Sequence, residues 1–187
     1  MKTRLWQVFS LLFLSTSLAY AGNVPGAFTV TLADAYYDYA SSWQLKNVFM
    51  PNFALAYNIT DKIGVEAGAG FFNTKNNDTD QDIHGWLYTL DGILRFAKCS
   101  HLEPYVIAGL GMIALNHNGD DTKHPGNVNA GIGTQLFWGD TIAMRAEVRD
   151  LYSTTGNGHN DVMFNLGISF LFGGKKTEPH VSLKGEG

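Results

Sequence analysis

Residues 165–172 read Asn165-Leu166-Gly167-Ile168-Ser169-Phe170-Leu171-Phe172, and this stretch decides the fold. Large apolar side chains recur at positions 164, 166, 168, 170 and 172, whereas small or polar side chains occupy 165, 167 and 169. A period of two is typical of a β-strand whose two faces differ. Such a strand can line a soluble core, or it can face lipid on one side and a polar lumen on the other. The rest of the chain distinguishes these alternatives.

The N-terminal residues have the features of an export signal. Lys2 and Arg4 precede an apolar stretch that runs from Leu5 to Leu14. Ala19-Tyr20-Ala21 forms an A-x-A processing site. We therefore predict a signal peptide over residues 1–21, cleaved at its end. The alternative, an N-terminal membrane anchor, is disfavoured because the apolar run is too short to span a bilayer.

The composition is charge-poor and rich in aromatic residues and glycine. Charged residues make up 16% and aromatic residues 13% of the chain, and there are 21 glycines. This profile is typical of an exported all-β envelope protein. The formal net charge of −4 argues against nucleic acid as a partner. The single cysteine, Cys99, excludes an intramolecular disulfide and favours an unpaired thiol near a turn, with an intermolecular bridge or a reactive thiol as the alternatives.

Eight segments carry strand signals, with large apolar side chains on one face and smaller or more polar side chains on the other. They lie near 28–37, 48–59, 62–73, 84–97, 104–115, 127–138, 141–152 and 164–172. No segment after the signal peptide shows a 3.6-residue apolar repeat, so no helix is predicted there. We assign residues 22–174 to one domain and residues 175–187 to a short polar tail.

The connections between these segments alternate in length. The short ones are 58–62, 98–103 and the Gly139-Asp140 pair, which predicts a two-residue hairpin. The long polar ones are 38–47, 74–83, 116–126 and 153–160. In an up-and-down topology all short turns then lie at one end and all long loops at the other, as in outer-membrane barrels. The chain is therefore predicted to form an all-β fold, an eight-stranded antiparallel up-and-down transmembrane β-barrel.

Aromatic residues fall into two groups, one toward each end of the predicted barrel. The group toward the long loops is Tyr36, Tyr37, Tyr39, Trp43, Phe71, Trp86, Tyr88 and Tyr152. The group toward the short turns is Tyr57, Phe96, Tyr105, Trp138, Phe170 and Phe172. Two aromatic bands with aliphatic residues between them predict two membrane interfaces, the alternative being core aromatics of a soluble sandwich.

Charged side chains lie on the small, polar face of several predicted strands. Arg145-Ala146-Glu147-Val148-Arg149 places three charges on one face, and Glu66, Asp91 and Arg95 share the same kind of face. The interior of an eight-stranded barrel is only wide enough to be filled by side chains. Because an unpaired buried charge is costly, these three bases and three acids are predicted to pair and plug the lumen. Room for them is left by glycines at 64, 68, 70, 109, 111, 131 and 133.

The chain resembles the eight-stranded barrel family of outer membrane protein A over roughly residues 26–172. The resemblance is carried by Pro51–Thr60, Pro104–Gly111, Arg145–Arg149 and the closing strand. It implies a bacterial outer-membrane location, contact with outer-membrane lipids and a charged interior network. It also implies that the closing strand is the signal read by the barrel-assembly machinery, with Asn165, Gly167, Phe170 and Phe172 as its residues. The chain departs from many relatives because Gly173–Gly187 is too short for a peptidoglycan-binding domain, so none is expected.

Calcium binding and catalysis find no support in the sequence. Asp78, Asp80 and Asp82 are spaced like the start of a calcium-binding loop, but Ile83 stands where glycine is needed and Thr89 where glutamate is needed. No Gly-x-Ser-x-Gly elbow is present. A His-x-Ser pair occurs only beyond the last strand, at His180-Val181-Ser182. His117 and His124 with Asp120 and Asp121 are candidate metal ligands, but the ordinary polar composition of a loop explains them better. We predict no catalytic residue, no cofactor and no metal.

The sequence thus predicts a non-enzymatic outer-membrane protein with a role in envelope integrity or surface interaction through four outer loops, which could contact a host or surface ligand. A small-conductance, porin-like pore is the first alternative. An enzyme that modifies outer-leaflet lipids comes next, and a soluble secreted β-sandwich or calyx is the remaining one.

Overall fold

Eight strands with a period-two pattern close into one antiparallel barrel. The structure, a computed structural model, describes residues 23–38, 47–75, 82–97, 99–116, 126–153 and 159–174. The strands are β1 (Ala27–Asp38), β2 (Val48–Asn58), β3 (Ile63–Lys75), β4 (Asp82–Arg95), β5 (Leu102–Asn116), β6 (Gly126–Trp138), β7 (Ile142–Ser153) and β8 (His159–Gly173). The predicted fold class is confirmed. The predicted signal peptide, the C-terminal tail and the candidate ligands His117 and His124 lie outside the described residues.

Closure comes from the pairing of the last strand with the first. Each strand pairs antiparallel with its neighbour along the chain, and β8 pairs with β1 from Ala27↔Gly173 to Asp38↔Val162. A closed barrel leaves no edge strand with unpaired backbone groups. The part of the chain that the structure describes contains no helix that could span a bilayer.

The two faces of the sheet differ as the alternation predicts. Along β7, burial alternates without exception, so that odd-numbered side chains point into the barrel and even-numbered ones point outward. Every strand carries large apolar side chains on its outward face, including Leu90, Leu110 and Ile132, each about two-thirds exposed. An exposed apolar band that encircles a barrel is suited to hydrocarbon rather than water.

The connections are less sharply sorted by length than the sequence predicts. The end of the barrel with connections 39–47, 76–81, 117–125 and 154–158 is called the long-loop end, and the end with 59–62, 96–101 and 139–141 is the short-turn end. Only 39–47 and 117–125 are clearly longer than every connection at the opposite end, because the strands around 76–81 and 154–158 extend further than predicted.

The hairpin at Gly139 is one residue longer than predicted. β6 ends at Trp138 and β7 begins at Ile142, so the connection has the residues 139–141 rather than Gly139-Asp140 alone. Gly139 has a φ of 75°, a left-handed conformation that glycine adopts without steric cost.

Two aromatic residues assigned to the membrane interfaces point into the barrel instead. Tyr37 is 1% exposed and Tyr105 is 3% exposed. Neighbouring residues of a strand point to opposite faces, so Tyr37 points inward where Tyr36 points outward. Tyr105 lies two residues before Ile107 and points inward as Ile107 does. Of the remaining aromatics, Tyr39 and Trp43 lie outside the described residues, whereas Tyr36, Tyr57, Trp86 and Trp138 are exposed on the outer face.

The lumen near the long-loop end is filled by apolar side chains, which the sequence argument did not predict. This apolar layer consists of Ala35, Tyr37, Met50, Phe72, Ile83, Leu87, Ile113, Leu151 and Met163. Within it, the rings of Tyr37 and Phe72 stack with centroids 6.5 Å apart. The barrel therefore has an apolar core of its own at this end, in addition to the charged residues below it.

Candidate functional site

All six predicted charges point into the lumen. Glu66 on β3, Asp91 and Arg95 on β4, and Arg145, Glu147 and Arg149 on β7 are each no more than 4% exposed. Five of them lie together in one cluster, called here the ion network: Glu66, Asp91, Arg145, Glu147 and Arg149. Arg95 borders this network, lining a small cavity with Glu66 and Arg145, but forms none of its ion pairs.

Arg149 contacts three carboxylates. Its Nη1 donates to Asp91 Oδ2 at 2.6 Å, its Nη2 to Glu66 Oε1 at 3.2 Å, and its Nε to Glu147 Oε1. These acids come from β4, β3 and β7, so one guanidinium connects opposite walls of the barrel. Charge-assisted hydrogen bonds of this kind are the strongest that side chains form.

Arg145, four residues before Arg149 on β7, binds two of the same carboxylates. Its Nη1 and Nη2 donate to the two oxygens of Glu66 at 2.5 and 2.9 Å, a bidentate pair. Nη2 also donates to Glu147 Oε2 at 2.6 Å. Glu66 and Glu147 each accept from both arginines, so the four side chains form a closed ring of ion pairs.

Two uncharged residues extend the network. The Tyr105 hydroxyl donates to Glu147 Oε2 at 2.6 Å, and the Arg145 guanidinium carbon lies 5.1 Å from the centre of the Tyr105 ring, within cation–π range. Asn129 Nδ2 donates to Asp91 Oδ1 at 2.9 Å. Neither residue was predicted from the sequence, although the alternation of inward and outward side chains along β5 and β6 places both in the lumen.

Arg95 is the predicted network residue that the structure leaves out. It is buried, yet within the described part of the chain it makes no ion pair within 4 Å, and its Nη1 has no hydrogen-bond partner. Arg95 is the last residue of β4 and lies nearer the short-turn end than Asp91 does. Glu147 on β7 pairs with Arg145 and Arg149, and not with Arg95. The expected pairing of three bases with three acids is therefore incorrect in this part.

A second polar cluster closes the short-turn end. Asn23, which precedes β1, donates from Nδ2 to Glu103 Oε2 at 2.9 Å and to Gln135 Oε1 at 2.7 Å. Asn58 Nδ2 donates to Asn23 Oδ1 at 3.2 Å. All four side chains are buried, and they join residues from four places in the chain. This floor cluster depends on long-range register, so no local sequence signal revealed it.

Two glycines make space for bridges of the ion network. Gly109 pairs with Asp91 on one side and Asn129 on the other, and these two side chains hydrogen-bond across it. Gly133 pairs with Tyr105 and Glu147, which likewise bond across it. Because a glycine has no side chain, its two neighbours can meet above its backbone.

Gly109→Ala should therefore destabilise the barrel. A Cβ at this position would lie 2.2 Å from both Asp91 Oδ1 and the Leu90 carbonyl oxygen, and the second of these belongs to the backbone. Overpacking of this kind costs about 1–3 kcal/mol, measurable by urea unfolding in lipid vesicles. Gly92→Ala is the matched control on the outward face, since its nearest neighbour would be 3.8 Å away. Equal losses in the two variants would contradict the spacing argument.

The closing-strand residues have structural positions that are independent of any assembly signal. Asn165 points inward and its Oδ1 accepts from Asn52 Nδ2 at 3.2 Å. A Cβ at Gly167 would lie 2.4 Å from the Cβ of Ala33. Phe170 and Phe172 lie on the outward face, partly buried. Leu171, between them, is fully buried and packs with Phe137 and Ala143 near the short-turn end.

The lumen contains little empty space. A cavity of about 30 Å³ lies between the apolar layer and the ion network, lined by Glu66, Arg145 and Arg149 among others. A cavity of this size has room for water. Among the described residues, no three His, Cys, Asp or Glu side chains are placed to hold a metal ion.

Comparison with known proteins places this geometry in a family. Residues 7–176 match the family described as the OprF membrane domain. Outer membrane porin F of Pseudomonas aeruginosa is 26% identical over 145 residues, which cover 72% of this chain and 41% of that protein. The chain thus spans less than half the length of this curated relative.

Solved structures of small barrels are similar in fold. The N-terminal β-barrel domain of P. aeruginosa OprF matches with a TM-score of 0.61 and 22% identity, covering 79% of this chain and 98% of that one. Neisserial surface protein A matches with a TM-score of 0.61 and 19% identity, covering 79% and 99%. Ail, the attachment invasion locus protein of Yersinia pestis, matches with a TM-score of 0.56 and 16% identity, covering 80% and 100%.

A closed eight-stranded barrel with an apolar outer band and an ion-paired interior defines a β-barrel protein of the bacterial outer membrane. The chain belongs to the OprF membrane domain family. The resemblance to outer membrane protein A-like barrels and the outer-membrane location, both inferred from the sequence, are confirmed.

Proposed function

We propose that this protein is a non-enzymatic structural component of the outer membrane that displays its long loops at the cell surface and does not conduct freely. The observation that carries the proposal is the filling of the lumen in three successive layers. The apolar layer, the ion network and the floor cluster follow one another from the long-loop end to the short-turn end. An ion or solute would have to displace all three in order to pass.

The chemistry of the lumen supports a mechanical role rather than a catalytic one. Each carboxylate of the ion network is held by at least one guanidinium, so none is left to act as a base toward a substrate. The cavity beside the network is too small for a substrate. Because its lumen is filled and ion pairs connect opposite walls, the barrel is suited to a structural role in the membrane.

The long-loop end is proposed to face the outside, as in outer-membrane barrels generally. A structure of Ail contains a heparin analogue, sucrose octasulfate, and it has a TM-score of 0.54 and 14% identity to this chain. The loops proposed here as a surface for ligands carry Asp78, Asp80, Asp120 and Asp121, so we do not propose a sulfated polyanion as their ligand.

Export and assembly are proposed to follow the sequence signals. Residues 1–21 would be removed on export, and the closing strand, with Asn165, Gly167, Phe170 and Phe172, would be recognised by the barrel-assembly machinery. The outward position of both phenylalanines at the end of β8 supports this because it leaves them accessible before the barrel closes.

A deletion strain tests the structural role. Loss of the protein should increase entry of bile salts and of large antibiotics into the cell, and the native gene should restore the barrier. The lipid A composition of the deletion strain should be unchanged. A change in lipid A that the native gene reverses would replace the structural proposal with the enzymatic one.

A small pore is the second candidate. Two observations favour it: the curated relative is named a porin, and the cavity borders the ion network. In planar bilayers we expect the native protein to give little or no conductance. Arg145→Ala opens the network but leaves the apolar layer, so it should not raise conductance either. A clear rise would show that the network is the gate of a pore and would overturn the sealed-lumen proposal.

A further inference from the structure

Two carboxylates lie on the lipid-facing side of the barrel. Asp34 on β1 and Asp150 on β7 both point outward and are exposed. Each lies two residues from an outward tyrosine of the long-loop end, Tyr36 and Tyr152, on the side toward the middle of the barrel. Because interfacial aromatics mark the edge of the hydrocarbon, both carboxylates are below that edge.

Toward the middle of the barrel and directly across the sheet, the outer-face neighbours of each carboxylate are apolar. The next outward residue toward the middle of the barrel is Leu32 on β1 and Val148 on β7. Across the sheet, Asp34 pairs with Pro51 and Leu166, and Asp150 pairs with Ala130 and Val162. Asp150 accepts one long hydrogen bond of 3.4 Å, from Asn160 Nδ2.

An aspartate side chain is too short to reach the headgroups as lysine or arginine can. Ionisable groups at this depth are rare and normally have a partner. Asp34 and Asp150 flank β8 on either side, with Phe164 between them on the outer face. The arrangement forms one continuous surface, the β7–β8–β1 face, defined here by Asp150, Phe164, Leu166 and Asp34.

The charge pattern rules out a second copy of this chain as the matching partner. Between the two aromatic groups, the outward positions of the described strands carry no lysine or arginine. A second copy would therefore present apolar groups or further carboxylates. A shared metal ion is also excluded. Strand β8 separates β1 from β7, and the β8 partners of the two carboxylates, Leu166 and Val162, are four residues apart. The two aspartates are therefore roughly 16 Å apart on the sheet.

We propose that the β7–β8–β1 face binds a different outer-membrane protein that carries a lysine or arginine just below its own interfacial aromatics. Two such cations would pair with Asp34 and Asp150 where water is excluded. Phe164 would pack between them as the apolar anchor of the contact.

Site-specific photo-cross-linking in intact cells tests this proposal. A photoreactive amino acid at Phe164 should join the protein to a defined outer-membrane protein, and the joined peptide should contain a lysine or arginine. In an Asp34→Asn/Asp150→Asn double variant the yield should fall at least tenfold. Asp38→Asn, beyond Tyr36 at the loop end of β1, should leave it unchanged, and a probe at Leu110 on the far side should not give the product.

A cross-link to another protein does not by itself show that the two carboxylates bind it, so charge reversal is the second experiment. Asp34→Lys should abolish the product, and replacing the partner's basic residue by aspartate should restore it. Cross-links only to lipid, only to a second copy, or independent of the two carboxylates would each overturn the proposal. In purified form, the double asparagine variant should be at least as stable as the native barrel in urea. A loss of stability would show that the carboxylates stabilise the barrel rather than bind a partner, and would overturn the proposal.

Discussion

Replacing Arg149 by methionine should lower the free energy of unfolding by about 3–5 kcal/mol. Methionine fills much of the same space but carries no charge. The substitution would leave Asp91 without its guanidinium, and it would take one of the two arginines from Glu66 and Glu147. The expected loss arises from carboxylates that remain buried without a partner, since burial of an uncompensated charge is what makes a broken pair costly.

Urea unfolding of the protein in lipid vesicles measures this loss. Arg95→Met is the matched control, because Arg95 is equally buried in the same lumen but makes no ion pair within 4 Å among the described residues. The control should lose much less stability than Arg149→Met. If both variants lost the same amount, packing of the side chain rather than ion pairing would account for the stability of the lumen.

Replacing Ile132 by arginine should cost about 2–4 kcal/mol in a bilayer, because Ile132 is at the middle of β6 and faces hydrocarbon. The guanidinium would have to remain in lipid or bend toward a headgroup, and both arrangements are unfavourable there. Folding titrations in vesicles of defined thickness measure this cost.

Leu136→Arg provides the comparison on the same strand and the same face. Leu136 lies two residues from the end of β6, where a long side chain reaches the interface, so the cost should fall to about 0–1 kcal/mol. A cost that did not depend on depth would contradict the lipid-facing assignment of the outer surface.

The barrel could be predicted from the sequence because its determinants are local. Alternation of side chains along each strand sets which face is apolar, and β7 follows this alternation at every residue. The strand ends were less predictable, since β3, β4 and β8 continue into polar residues whose pairing depends on a neighbouring strand.

The interior was only partly predictable, since its contacts depend on register and height in the barrel. The sequence indicates that Arg95 and Arg149 both point inward, but only the height of each residue shows that Arg149 meets Asp91 and that Arg95 does not. The apolar layer was missed because Leu87 and Ile113 lie on the strand face that was described from the sequence as smaller and more polar. The floor cluster joins Asn23 to Gln135, a contact between parts of the chain far apart in sequence.

The two arginines of the ion network reside on β7, next to the strand that seals the ring, whereas two of their three acids are on β3 and β4. A nascent barrel that lacks its last hairpin would enclose Glu66 and Asp91 with no counterion from β7. The hairpin of β7 and β8 therefore supplies the counterions of Glu66 and Asp91 and closes the barrel at the same time. An incomplete barrel with unpaired buried carboxylates would be unstable. Insertion should therefore proceed as a single all-or-none event rather than strand by strand.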